Sequence, residues 1–483
     1  MKLIKQLNII LLPLWCILLI SLVNVNASAL SSCLASIKGQ TVYPNNKTFP
    51  SLIIDENIYV NYTPSVLVYA VNNQDVQTSV NCAVKLKMGI SARSGGHSYE
   101  KYDLGGRNNV MVVDLTNIND IIIDSKSQTA KIGAGNRLGV IYNKLSQAGF
   151  LIPAGTCPSV GIGGHALGGG YGFTGRKYGF ASDNIISMEM VDANGKLLKI
   201  DNATNSDLFF ALRGAGGGSY GIVTSFVFHI HPTPPQVTSM KFQFNPNQVQ
   251  QLFKAYNDVG PSLDNNIVLS ISLSKGGLSI DGLYLGPSAN AKNAMKQFLS
   301  EAPKPTSSKF IPQSFFDSVK TFAYVPPNEV ANPKHNPYFF KAKSFLVNKG
   351  LTSQAINTMI DFLNNVSCDT YALFDLFGGT ANINDVTSSL IHRDVLYGIQ
   401  LLGQDWNSKT QGDKCIKQLN DFGKEFQSKF TSYFSYQNYI DRDLDDWQTR
   451  YYGQNFKRLI EIKAKYDPNN LFNFPQSIPV KTF

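Results

Sequence analysis

The chain is predicted to be an α+β protein of two domains. Its 483 residues exceed what one ordinary hydrophobic core takes up, and at 43% hydrophobic against 16% charged they can fill large interiors. Short alternating strand patterns intersperse with amphipathic helical stretches. A break in texture falls at Pro232, Pro234 and Pro235, after which the strand–helix mixture changes character.

The elements follow in order. Residues 1–29 read as a signal peptide: Lys2 and Lys5 precede an apolar run from Leu7 to Val23, and Asn26-Ala-Ser-Ala29 is a small-residue cleavage pattern. A single membrane anchor is the alternative, since the run nears the lower limit for a span. Ser65 to Gly89 reads as a helix followed by a strand. Val110 to Leu115, Ile121 to Ile123 and Ala130 to Gly133 read as strands. Leu138 to Gly149 has helical spacing and closes on a glycine. Strands are expected around Gly155–Gly172, then a hairpin from Ile186 to Ile200 turning at Ala193-Asn-Gly195, and a strand from Ile222 to Ile230. From Ser239 to Gly403 strands at Val268–Leu273, Leu278–Leu285 and Tyr371–Phe377 accompany helices such as Ser353–Asn364. The last forty residues hold a helix and the tail Pro475-Gln-Ser-Ile-Pro479.

The net charge of +9 is scattered, with no basic block interleaved with aromatics, so nucleic-acid binding has no support. Sequons at Asn46, Asn61, Asn202 and Asn365 become credible glycosylation sites behind a signal peptide. Of six cysteines Cys16 would leave with the leader, and the remaining five are an odd number for a secreted chain.

Two stretches carry the chemistry. Arg93-Ser-Gly-Gly-His-Ser-Tyr99 and Gly155-Thr-Cys-Pro-Ser-Val-Gly-Ile-Gly-Gly-His-Ala-Leu-Gly-Gly-Gly-Tyr-Gly172 each set one nucleophile, His97 or Cys157, among glycines. Glycine lets backbone N–H groups approach a phosphate closely, and either side chain could attack an electrophilic ring. A third run, Leu212–Gly221, precedes a strand.

The whole pattern resembles the berberine-bridge-enzyme-like flavoproteins of the vanillyl-alcohol-oxidase family, which tether FAD through both residues. The resemblance implies a two-part FAD-binding fold of the PCMH type, residues 30–235 and a return at 441–483, with an inserted α+β substrate domain at 236–440, an antiparallel sheet covered by helices. It implies FAD joined at its 8α carbon to His97 and at C6 to Cys157. Arg93, Ser94, Gly95, Gly96, Ser98, Val160, Gly161, Gly163, Gly164, His165, Gly168, Gly169, Ile222, Asn473 and Gln476 are implied as further cofactor-binding positions. Cys33–Cys82 corresponds to the family's amino-terminal disulfide; Cys368 and Cys415 are a second bridge or two buried thiols. Tyr439, in Tyr436-Gln-Asn-Tyr439, is the implied base, with Tyr436, Tyr171 and Gln400 as its companions in the site. A phenol serves as base if nearby charge or hydrogen bonds lower its pKa. Plant members often carry Lys where this chain has Gly398, so a cation favouring tyrosinate is missing. Val160 stands where the family gates oxygen, and its small side chain points to an oxidase. The expectation is a secreted monomeric oxidase acting on an alcohol, sugar or amine, with O2 as acceptor and H2O2 as product.

Competing motifs are weaker. Gly217-Gly-Ser-Tyr-Gly221 fits the G-x-S-x-G elbow of a serine hydrolase, but an elbow opens into a helix and this one runs into a strand. The G-x-G-x-x-G matches lack a βαβ unit with an acidic residue about twenty positions on. His229, His231 and His335 have no metal-ligand spacing, so no metal is expected. A flavin-retaining protein with little turnover stays open as the third reading.

Overall fold

The computed structural model describes residues 27–481. The leader reading, with Cys16, therefore lies outside the described residues except for Ala27–Ala29, which begin the helix Ala27–Cys33. No helix among the described residues is long and apolar enough to cross a membrane.

The first part holds two larger sheets beside the short antiparallel pairing of Phe150–Leu151 with His231–Pro232. In the four-stranded one, Gln40–Val42, Val66–Tyr69, Met111–Asp114 and Ile90–Arg93 lie side by side, the last three parallel. Ser65–Gly89 is thus strand, helix and approach to a strand rather than helix then strand. Asn72 accepts the N–H of Asp75 and starts the helix Asn73–Leu86, which ends at Lys87 in the left-handed region (φ 52°). Val66 and Val68 lie in an inner strand, and Val76, Val80 and Ala83 are part of the helix's buried face. The second sheet is antiparallel, ordered Ile121–Asp124, Thr129–Gly133, Gly221–His229, Ile185–Asp192, Leu197–Asp201. It contains the expected hairpin, whose turn is closed by Asp192 and a positive φ at Gly195.

Seven antiparallel strands form the third sheet, in the order Ser307–Gln313, Val237–Gln243, Gly277–Tyr284, Ile267–Ser274, Asp369–Leu376, Tyr397–Gln404, Phe340–Val347. Because side chains alternate along a strand, its two faces differ. Ile271, Phe374, Ile399 and Phe345 pack under the helices Val249–Val259, Ser353–Asn365 and Lys409–Phe430. Their neighbours Ser270, Ser272, Asp375, Gln400 and Ser344 face a cavity on the other side.

The carboxyl-terminal helices Trp447–Tyr452 and Phe456–Tyr466 join the core of the first part. Lys463, fully buried, pairs with Asp467 at 2.6 Å and donates to the carbonyls of Ser219 and Phe472, which pins the returning chain. Lys341, on the third sheet, meets Glu100, Asp441 and Asp443 and ties the sheet to the loop after His97 and to the segment after Tyr439. Removing one partner of such a buried group strands the others, which is costly. Both disulfides form, Cys33–Cys82 and Cys368–Cys415, and Cys157 is free.

Candidate active site

A cavity of about 540 Å3 lies between the glycine loops and the inner face of the seven-stranded sheet. The two loops touch backbone to backbone. A Cβ on Gly95 would sit 2.1 Å from the nitrogen of Gly161, and one on Gly161 would sit 2.2 Å from that of Gly95, so only glycine fits either position. Ser94 accepts the N–H of Gly163 and donates to Ala134, fastening the same contact. This closeness sets Ser159 between the two nucleophiles: its Oγ is 2.9 Å from His97 Nε2 and 3.5 Å from Cys157 Sγ. Burial holds the His97 imidazole well below its ordinary pKa, hence neutral and nucleophilic, and pushes the Cys157 thiol up against the opposing pull of Ser159.

Of the cofactor-type positions, Ser94, Gly95, Gly96, Ser98, Val160, Gly161, Gly163, Gly164 and His165 line the cavity with His97 and Cys157. A narrow, glycine-walled cleft carrying a neutral imidazole and a free thiol fits a flavin dinucleotide. The second glycine run is partly helical, Ile162–Leu167, between the strands Phe150–Leu151 and Ile185–Asp192. His165 accepts the N–H of Gly155 and is driven down to about 4 by burial, a neutral structural histidine. The remaining positions stand behind the wall. Arg93 is engaged by Asp114 at 2.6 Å and by the Leu52 carbonyl. Gly168 and Gly169 carry the turn against Asn438 and Tyr436. Ile222 points into the core, between Gly221 and Val223, which reach the cavity. Gln476 donates to the Asp441 carbonyl, and Asn473 offers its own carbonyl to Arg107.

On the sheet side, Tyr439 stacks on Tyr99 with ring centroids 5.7 Å apart, and Gln400 donates to the Tyr99 hydroxyl. Tyr171 donates to the Leu376 carbonyl and stacks on Phe377. Tyr436 accepts from Gly170 and Asn438, and burial pushes its phenol up to about 12. Burial, then the Asp375 carboxylate, hold the Tyr439 phenol well above the ordinary range, the opposite of the lowering that a phenolic base calls for. Gly398 lines the cavity, with the Phe377 ring 3.3 Å from where a Cβ would stand.

Ser219 is not a nucleophile. It is 1% exposed, and its Oγ accepts the N–H of Ile478, while Gly217 and Gly218 before it line the cavity.

Several residues emerge only on folding. Asp375 lines the cavity with its carboxyl raised by burial. His335, with no partner at sequence spacing, lies against His97 (centroids 5.5 Å), and the ligand-type atoms of Glu56, His97 and His335 all fall within 4.8 Å of one another. Ser159, inside the Cys157 motif, could have been found from its position two residues after the cysteine; Glu56 and His335 carry no local signal.

Comparison with known proteins is consistent with this geometry. Residues 64–201 match the FAD binding domain family, and residues 435–479 match the family described as berberine and berberine like. A carbohydrate oxidase of Microdochium nivale is 30% identical, with 95% of this chain and 96% of that protein aligned. A chitooligosaccharide oxidase of Gibberella zeae is 29% identical over 95% and 96% of the two chains. The solved structure of Physcomitrella patens BBE-like 1 superposes with a TM-score of 0.89 at 37% identity, covering 94% of this chain and all of that one.

Proposed function

The chain belongs to the berberine-bridge-enzyme-like FAD-linked oxidoreductases, and from that premise we propose that it is a secreted sugar oxidase whose flavin is held by both His97 and Cys157. The observation that carries this reading is Ser159, within 2.9 Å of one nucleophile and 3.5 Å of the other. Both side chains face one cavity, so one ring can meet His97 at its 8α carbon and Cys157 at C6. FAD supplies the hydride acceptor and the reactivity with O2 that yields H2O2.

The chain's own residues position the donor and manage its proton. Tyr439 takes the hydroxyl proton as hydride leaves the same carbon while it releases its own phenolic proton toward Asp375, which must be ionised to receive it although burial raises its carboxyl. Gln400 fixes Tyr99, and Tyr99 fixes the ring of Tyr439. Val160 leaves room for O2 beside the tether.

Tyr99, Tyr324, Tyr338 and Tyr371 offer faces for sugar rings, and Ser270, Ser272 and Asp281 offer hydrogen-bonding edges, the mixture a carbohydrate needs. The carbohydrate and chitooligosaccharide oxidases among the relatives support the same class. Two disulfides and four exposed sequon asparagines support an extracellular, glycosylated protein. Peroxide release on a panel of oligosaccharides, aromatic alcohols and amines tests the proposal. Turnover of reducing sugars is expected; amine oxidation without sugar oxidation would overturn the substrate class.

A further inference from the structure

Beside His97 lies a hydrogen-bonded group that substrate oxidation does not use. Glu56 is 8% exposed, and its Oε2 stands 3.5 Å from His97 Nε2 and 3.2 Å from His335 Nδ1. Arg137 reaches the far nitrogen of His335 at 2.7 Å. A guanidinium only donates, so His335 Nε2 accepts, its proton sits on Nδ1, and His335 is a neutral donor to Glu56. Glu56 also receives the N–H of Asn336, and its backbone N–H donates to Gly96, next to His97. Every contact of the carboxylate thus fixes one oxygen toward Nε2 of His97. With Nε2 turned to Ser159 and Glu56, Nδ1 is left for carbon. Arg137 behind His335 opposes a cation at this spot; the two contacts of His335 have hydrogen-bond spacing, and Glu56 stands just beyond Ser159 from His97 Nε2, at 3.5 Å.

We propose that Glu56, oriented by His335 and Arg137, is the proton acceptor that activates His97 for its attachment to the flavin, an inference that rests on the covalent reading above. A bond forms between His97 Nδ1 and the 8α carbon while one methyl C–H bond breaks and its electron pair reduces the ring system. The methyl proton ends on the reduced ring, and the Nε2 proton of His97 passes to Glu56. O2 then takes the two electrons together with the ring proton and the proton held by Glu56 and leaves as H2O2, which returns Glu56 to the carboxylate. Glu56 acts once in the life of each molecule, to install the cofactor, and His335 is a positioning residue. The charged and titratable groups facing Glu56 are His97, His335, Arg137, Cys157 and Tyr338.

The test uses the full chain carrying Cys157→Ala, which leaves His97 as the one tether. Covalent flavin on the His97 peptide is followed by mass and by absorbance after acid precipitation, with FAD added, from pH 6 to 10. Adding Glu56→Gln should slow attachment by about 10²-fold near neutrality, the range for loss of a general base. Its rate should climb with pH as hydroxide replaces the carboxylate, Glu56→Asp should recover part of it, and His335→Gln should slow it less than Glu56→Gln. Glu56→Gln in the Cys157 background should keep its cysteinyl flavin and melting temperature. Attachment through His97 at the parental rate in Glu56→Gln overturns the proposal, as does a pH-independent loss shared by Glu56→Asp. No His97 attachment in the Cys157→Ala parent brings down the covalent reading and this inference with it; normal attachment there with a normal Glu56→Gln rate brings down this inference alone.

Discussion

One wall of the cavity is built from two loops and the other from separate strands. His97, Cys157 and Ser159 sit in glycine-rich segments whose backbones touch at Gly95 and Gly161. Asp375, Gln400 and Ser270 come from the inner face of three strands, each residue followed or preceded by one that faces the opposite core. The loop wall depends on backbone shape, which glycine dictates locally. The sheet wall depends on register, and a side chain gains its meaning only from what lies across the sheet. A loop wall of this kind can therefore be read along the chain, whereas a sheet wall needs the fold.

Perturbing each wall should give a different signature. The largest effect is expected at Tyr439. Tyr439→Phe keeps the ring and its stack on Tyr99 but removes the hydroxyl, so flavin reduction by substrate should slow by about 10²–10⁴-fold with flavin content unchanged. A near-normal reduction rate would move the base elsewhere on the sheet wall. Asp375→Asn comes next. The carboxyl must be unprotonated to receive a proton, and burial raises its pKa, so wild-type reduction should rise with pH through that raised value. The Asn variant should be slower and lack this acid limb; an unchanged pH profile would show that Asp375 only binds.

On the loop wall, Val160→Leu fills cavity space near Cys157 and should slow reoxidation by O2 more than reduction by substrate. Equal slowing of both half-reactions would make Val160 a packing residue. Gln400→Leu should be milder, since it removes one hydrogen bond to Tyr99, worth about 1 kcal/mol or roughly fivefold in kcat/KM.

The smallest effect concerns stability. Burial lowers His165 and His231 from 6.5 to about 4 and His392 to about 3, so these imidazoles stay neutral in the fold while the unfolded chain takes up protons below pH 6.5. They cost nothing above pH 6.5, and stability should fall as the pH drops from there toward 4. Melting temperatures across that window should decline more gently in His392→Phe; an identical slope would exclude His392 as a contributor.

Much of this architecture could be read from the chain because its signals are local. The Ala193-Asn-Gly195 turn, the strand after Gly221 and the helix from Ser353 each carry their own punctuation. Ser65–Gly89 was misordered because valines suit a strand and a helix face alike, and only the Asn72 cap separates them. Strands Ser307–Gln313 and Phe340–Val347 escaped because charged and polar residues interrupt their alternation; Lys341 and Lys343 are buried there only because Asp441 and its neighbours neutralise them. Within the site, His97, Cys157 and Tyr439 were legible from their motifs. Glu56, His335 and Asp375 were not, since they are single acids and a lone histidine whose partners lie far away in sequence. The environment of Tyr439 was equally invisible, because the missing cation at Gly398 can be read from sequence but the approach of Asp375 cannot.

The most direct measurement is the flavin remaining with protein precipitated in acid. Wild type, His97→Ala and Cys157→Ala should each give a yellow pellet, every one carrying about one flavin per chain through the tether that remains, and only the double variant should release its FAD to the supernatant. A colourless wild-type pellet, with all the flavin in solution, would contradict attachment through either residue.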